Sequence, residues 1–213
     1  MKKASYLPLL ALAISLTSEV ARADLITFEN EAIGHKGEVY TVGQVTFKDT
    51  LILPGDAGLY VLDYSSQGRD NVLAVNNDVD GSGLRMDFLQ PITSLSLMFG
   101  NDEPAFTEVG DLAWLDVFLG GTLVGHTTVV LNRNDLIDQS IGMTVLGGFD
   151  SAYFVHTDSV GTPLPERPYH HGGMEVVDNI EFTVAVPVPE PASFLLVGIG
   201  LGALGLVAWR RRK

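Results

Sequence analysis

Thr93-Ser94-Leu95-Ser96-Leu97-Met98-Phe99 is the stretch that decides how this chain is read. Its apolar residues recur at every second position, the period of a β-strand. Leu95, Leu97 and Phe99 point to one side, and Ser94, Ser96 and Met98 to the other, which describes a strand with one buried face. Leu84, Met86 and Phe88 alternate with Arg85 and Asp87 in the same way just upstream. Downstream, Ala113 to Leu119 is apolar on nearly both faces, which assigns Trp114 to the core. Gly120-Gly121 then supplies the positive φ angles of a two-residue hairpin turn into Thr122 to Leu131.

The same period marks further strands at Leu25 to Phe28, Val39 to Phe47, Leu59 to Tyr64, Val72 to Val75, Ala152 to His156 and Ile180 to Val184, punctuated by Gly, Asn and Asp. Outside the two ends of the chain, the one stretch with helical period is Asn134 to Gln139. Many short strands with no helices between them predict an all-β fold, an antiparallel β-sandwich or jelly roll.

The ends read differently. Lys2 and Lys3 precede an apolar stretch from Tyr6 to Leu16, and Ala21-Arg22-Ala23 offers small residues around a cut, so residues 1–23 read as a secretory signal peptide. At the other end, Ala192 to Trp209 is an uncharged apolar run of about 18 residues, close to the roughly 20 that a helix needs to cross the hydrocarbon core. Arg210, Arg211, Arg212 and Lys213 follow it. The positive-inside tendency then leaves this end cytoplasmic and the body, residues 24–186, facing outward.

The chain has 13 basic and 26 acidic residues. Seven of the basic ones (Lys2, Lys3, Arg22, Arg210, Arg211, Arg212, Lys213) lie in the two end segments, with Glu19 and Glu190. The body therefore keeps 6 basic against 24 acidic residues, a formal charge near −18. Such a surface repels nucleic acid and favours cations, so nucleic acid is not an expected partner. There is no cysteine, so core burial or bound metal must hold the exported fold.

Pro189-Glu190-Pro191 sits directly before the apolar run, where prolines hold the chain extended. Pro-Glu-Pro, an apolar helix and a short Arg-rich end, in that order over residues 187–213, resemble the PEP-CTERM sorting tail of Gram-negative bacteria. The resemblance implies recognition at Pro189, Glu190 and Pro191 by an exosortase, a membrane-embedded transpeptidase-like protease, after transient anchoring by the helix. It also implies an association with exopolysaccharide and biofilm. Ile26-Thr27-Phe28-Glu29, Gly43-Gln44-Val45-Thr46-Phe47 and Val177-Asp178-Asn179-Ile180-Glu181-Phe182 resemble the jelly-roll bodies, similar to carbohydrate-binding modules, that carry such tails.

Two places suggest calcium. Asn76, Asp78 and Asp80 fall at positions one, three and five of a calcium-loop pattern, with Gly81 at the turn, Ser82 at the carbonyl position and Asp87 closing it. The alternative is a hairpin loop whose Asn, Asp and Gly serve turn chemistry. Glu29 ends the first strand and Asp178 precedes the last. Two carboxylates brought together there raise each other's pKa unless a cation neutralises them, and calcium would be structural. The alternative is a pair of solvated acids.

Catalytic patterns are missing: no G-x-S-x-G, no H-E-x-x-H and no cysteine nucleophile. The reading is a non-catalytic glycan- or matrix-binding protein. A secreted polysaccharide-active enzyme (glycoside hydrolase or lyase) and a purely structural surface protein are the alternatives. Sugars stack on aromatic platforms beside groups that hydrogen-bond hydroxyls, which nominates Tyr60, Tyr64, Trp114, Asn101, Asp102, Tyr169 and His170.

Overall fold

The computed structural model describes residues 23–50, 58–75, 83–102, 104–105, 107–164 and 175–185. Its strands are β1 (Ala23–Ile26), β2 (Gly34–Gly37), β3 (Val39–Val42), β4 (Val45–Asp49), β5 (Leu59–Asp63), β6 (Asn71–Val75), β7 (Leu84–Gly100), β8 (Leu112–Leu119), β9 (Thr122–Val130), β10 (Gln139–Thr157) and β11 (Val176–Val184). All pairings are antiparallel. The all-β expectation holds.

Two long strands, β7 and β10, organise the sandwich because each runs through both layers. The first half of β7 pairs with β4, and Leu84–Asp87 pair with the second half of β10, which in turn pairs with β8 and leads to β9. The second half of β7 pairs with Gln139–Thr144 of β10 and with β11, whose other edge carries β1 and β6. The burial pattern changes phase at the crossing. Leu84, Met86 and Phe88 are buried before it, Leu95, Leu97 and Phe99 after it, and Leu89, Gln90 and Pro91 are exposed between them. Proline donates no ladder hydrogen bond, so it sits at the bend without loss. The halves of β10 are likewise joined across an irregularity between Thr144 and Ser151.

The larger hydrophobic cluster fills the space between the layers, and a smaller one gathers Val72, Ala74, Ile137 and Val176 with Leu62, Tyr64 and Met98. Phe99 and Phe154 meet at 5.4 Å and Phe88 and Phe182 at 5.4 Å, so aromatic contacts tie one layer to the other.

The structure departs from the sequence reading at several places. Leu84–Phe88 and Thr93–Phe99 form one bent strand instead of two. Val39–Phe47 is a hairpin turning at Gly43, whose φ is 58°. The first half of β10 was hidden by its glycines. Gly142 is needed because a Cβ there would lie 2.7 Å from the Leu95 carbonyl oxygen. Asn134–Gln139 is no helix: Asn132 and Asn134 accept backbone N–H bonds two residues on, an arrangement that competes with helix, and Gln139 opens β10. Among the described residues, no helix is long and apolar enough to cross a membrane. Of the residues read as a signal peptide, 1–22 lie outside the described residues and Ala23 opens β1; the apolar run read as a membrane span also lies outside them.

The sandwich has two distinct poles. β1 begins and β11 ends at the same one, with Ala23 opposite Thr183 and the Ala185 N–H donating to Pro91 O at 2.9 Å. The β7 bend, the β10 irregularity and the Gly120-Gly121 turn are also there, the turn tied by the Gly120 N–H to Asp150 at 2.9 Å. At the opposite pole lie the far ends of β4, β5, β6, β8 and β10, together with Asn101–Asp102 and the start of β11.

Candidate functional site

Inward-facing Ala113, Leu115 and Val117 on β8 leave Trp114, Asp116 and Phe118 on the outer face of their layer. Trp114 is therefore half-buried on that face and not in the core. The strand looked apolar on both sides because one side carries aromatic residues that the sandwich does not enclose.

Register sets what stands beside it. β9 places Thr128 opposite Trp114 and His126 opposite Asp116. Asp116 Oδ1 accepts the Trp114 indole N–H at 3.0 Å and the His126 Nδ1–H at 2.8 Å, and the two rings lie 4.0 Å apart at 47°. On the other side, Gly161 reaches the indole so closely that a Cβ there would sit 2.8 Å from the ring. Its φ of 89° suits glycine, and Asp158 Oδ1 holds the loop by accepting the N–H groups of Val160 and Thr162, each at 2.9 Å. A single carboxylate thus fixes two aromatic rings in one orientation at the surface.

The row continues across the sheet. Tyr153 lies opposite Asp116 and beside Arg85, and Arg85 lies opposite Lys48. Asp87 bridges the last two, at 2.6 Å from Lys48 Nζ and 2.8 Å from Arg85 Nε. Partial burial works against ionising Asp87, but those two hydrogen bonds outweigh it and hold the carboxyl below the usual range. Half-buried aromatics alternating with fixed charges present both a stacking surface and hydroxyl-binding groups. The outer face of the other layer has a shallow depression of about 390 Å³ lined by Ser94, Leu95, Ser96, Gly142, Met143, Thr144 and Glu181, with no aromatic.

Of the residues nominated from sequence, Trp114 stands in this row, Asp87 bridges its far end, and the others fall elsewhere. Asn76, Asp78, Asp80, Ser82, Tyr169, His170, Pro189, Glu190 and Pro191 lie outside the described residues. Asp87 is committed to Lys48 and Arg85, so it closes a calcium loop only by giving up both. Tyr60 is half-buried against the His35 ring, 5.1 Å away. The Tyr64 hydroxyl donates to Asn101 Oδ1 at 3.4 Å. Asp102 is fully buried and so is not a surface contact; its Oδ2 accepts the Arg133 N–H at 2.8 Å. Glu29 and Asp178 do come within electrostatic reach. Burial raises the Asp178 pKa, with Glu29 and Asp70 adding to the rise and the Asn179 N–H and Arg69 opposing it. Among the described residues, no three His, Asp or Glu side chains are grouped so as to hold a metal ion.

Sequence reasoning missed Asp116 and His126. The Gly-Gly hairpin alone would pair Asp116 with Gly125; a bulge between Val117 and Phe118 shifts the register by one and brings His126 opposite Asp116, and nothing in the sequence reading marked that bulge.

Residues 187–213 match the PEP-CTERM protein-sorting motif, so the class is an all-β body carrying a sorting tail. Solved structures with a similar sheet arrangement include the K2 cleaved adhesin domain of Lys-gingipain, 16% identical, covering 76% of this chain and 98% of that one with a TM-score of 0.44. A DUF4465 family protein from Bacteroides ovatus is 12% identical over 78% of this chain and 100% of that one, TM-score 0.42. CsCBM6-3 from Clostridium stercorarium, solved with cellobiose, is 13% identical over 76% and 94%, TM-score 0.36. None of them transfers a residue or a ligand to this chain. No curated protein matches it.

Proposed function

We propose that this chain is exported, processed by an exosortase at Pro189-Glu190-Pro191, and displayed or released as a non-catalytic glycan- or matrix-binding protein associated with exopolysaccharide or biofilm. The observation that carries the reading is the sorting motif at residues 187–213. A secretory signal at residues 1–23, an apolar run at Ala192–Trp209 and a cysteine-free acidic body agree with it. Binding falls to the outer face around Trp114, Asp116, His126 and Tyr153. Aromatic rings there can stack on a pyranose while Asp116 accepts its hydroxyl protons.

Affinity electrophoresis of the body through exopolysaccharide from a producing strain tests this. The wild type should be retarded, and Trp114→Ala should weaken retention about tenfold, the equivalent of about 1.4 kcal/mol. Fragments released from the polysaccharide would point to an enzyme. Neither retention nor cleavage would leave a structural role. Mass spectrometry of the exported protein checks the tail: a chain that still ends Arg210 to Lys213 defeats the processing claim.

A further inference from the structure

The tail leaves the body beside an unusual group of side chains. The Ala185 N–H donates to Pro91 O, and a Cβ on Gly148 would lie 3.8 Å from Pro91 Cβ and 3.9 Å from Ala185 Cβ. Two residues from each of these partners stand Leu89, 77% exposed, and Leu146, 99% exposed. Leu119 and Leu123, the latter 53% exposed, flank the Gly120-Gly121 turn that Asp150 ties to the same pole. The start of β1 is adjacent too, since Leu89 N donates to Gln44 O and the Gln44 amide donates to Asp24, each at 2.9 Å. The acids of this pole, Asp24 and Asp150, are each hydrogen-bonded.

The other pole is built the opposite way, with Glu108 exposed and Asp135 half-buried on its loops and Asp111, Asp158 and Glu175 buried beneath them. Its exposed apolar side chains, Val109, Val130, Leu136 and Val160, stand beside acids: Val109 follows Glu108, Leu136 follows Asp135, Val160 is two residues from Asp158, and Val130 pairs with Leu112 next to Asp111. An anionic bilayer repels such a pole and tolerates the leucine pole. Chain length then fixes the distance. Only Val186 to Pro191 separate Ala185 from the apolar run, a reach of about 20 Å even fully extended.

We propose that the leucines of the tail pole, Leu89, Leu119, Leu123 and Leu146, form the face that the precursor lays on the lipid interface while its C-terminal segment is inserted. This rests on reading residues 187–213 as a membrane-held sorting tail. The body then stands with β1 and β11 toward the membrane and its acidic loops outward, and the Pro-Glu-Pro segment is confined to the thin layer between body and lipid. Cutting the tail frees the leucines from the interface, since their separate contacts are too few to hold a body of this charge.

The chain has no cysteine, so labels can be placed singly. Gly147→Cys sits in open space next to Leu146, and Val160→Cys marks the acidic pole. The full-length precursor is labelled with bimane at one or the other and reconstituted into phosphatidylcholine–phosphatidylglycerol vesicles. Doxyl-labelled lipid should quench the label at 147 at least twofold more than the label at 160, and iodide should show the reverse. Adding Leu146→Ser and Leu89→Ser should remove the difference while the chain still floats with the vesicles. Equal water access at 147 and 160 in a chain that co-floats overturns the leucine face and leaves the sorting tail standing. Failure to co-float overturns both. Protection at 147 that arises only when an exosortase is added assigns the leucines to the protease and overturns the lipid contact.

Discussion

The pole where the chain starts and ends and the pole where its loops gather face opposite physical problems. At the first, apolar side chains stand in water: Leu146 and Leu89 cover nothing in the folded body. At the second, polar side chains are buried: His156 and Asp102 are fully enclosed, and Asp111, Thr107 and Glu175 are nearly so. Asp102 Oδ1 and both ring nitrogens of His156 find no hydrogen-bond partner among the described residues. Asn101, Arg133 and Asp135 all take positive φ beside them. Exposed leucine costs the fold little, whereas a buried unpaired imidazole costs it a good deal. Folding stability is therefore sensitive to change at the loop pole and indifferent at the tail pole.

The sharpest contrast comes from the core under the loop pole. Phe99 packs against Phe154 at 5.4 Å and against His156 at 6.0 Å. Phe99→Ala should cost about 3–5 kcal/mol, read as a lowered urea midpoint at unchanged slope. A loss below about 1 kcal/mol would mean that the layers are not joined there.

His156 comes next. Burial lowers its pKa from 6.5 to about 4, with Asp102 opposing the shift. The folded state binds the imidazole neutral, so its contribution is complete above pH 6.5 and is lost as the pH falls toward 4. The full loss is about 3 kcal/mol. His156→Leu should remove this part of the acid sensitivity, giving a flatter stability profile between pH 6.5 and 4 than the wild type. Parallel profiles would show that the imidazole is not enclosed.

The fold was legible where burial was one-sided. Leu95, Leu97 and Phe99 alternate with serines, and the inside of the sandwich is the only place such a pattern leads. It was illegible where glycine took the place of a periodic residue, as at Gly142 in β10, or where a strand changed layers, as at Leu89 to Pro91. The surface group failed for a different reason. Trp114 looks like core because hydropathy cannot tell an aromatic that faces a partner layer from one that faces outward. Asp116 and His126 become meaningful only through the register of β8 and β9. The sorting tail was legible outright, since proline, apolar and arginine segments act in sequence order and need no tertiary contact.

Calcium would sharpen the loop pole further. Val75 and Gly83 flank the calcium-like stretch and end there. If Asn76, Asp78 and Asp80 bind the ion in the folded state alone, calcium at ten times its Kd should stabilise by about 1.4 kcal/mol. The Asp78→Ala, Asp80→Ala variant should lose that gain. A Glu29→Gln, Asp178→Asn variant distinguishes the second pair. An unchanged melting temperature in millimolar calcium removes the ion from both places.

The smallest effect is expected at the tail pole, and its smallness is informative. Leu146 is 99% exposed and Leu89 is 77% exposed, so replacing both by serine removes almost no buried surface. The body, residues 24–186, carrying Leu89→Ser and Leu146→Ser should unfold within about 0.5 kcal/mol of the wild-type body. The Leu89 N–H to Gln44 O bond is a backbone contact and survives the change. A loss of 2 kcal/mol or more would mean that these leucines cover part of the body after all, and the contrast between the poles would fail on its own ground. If stability holds, two large apolar side chains persist on the surface with no folding role, which is the condition under which a contact made only by the membrane-held precursor accounts for them.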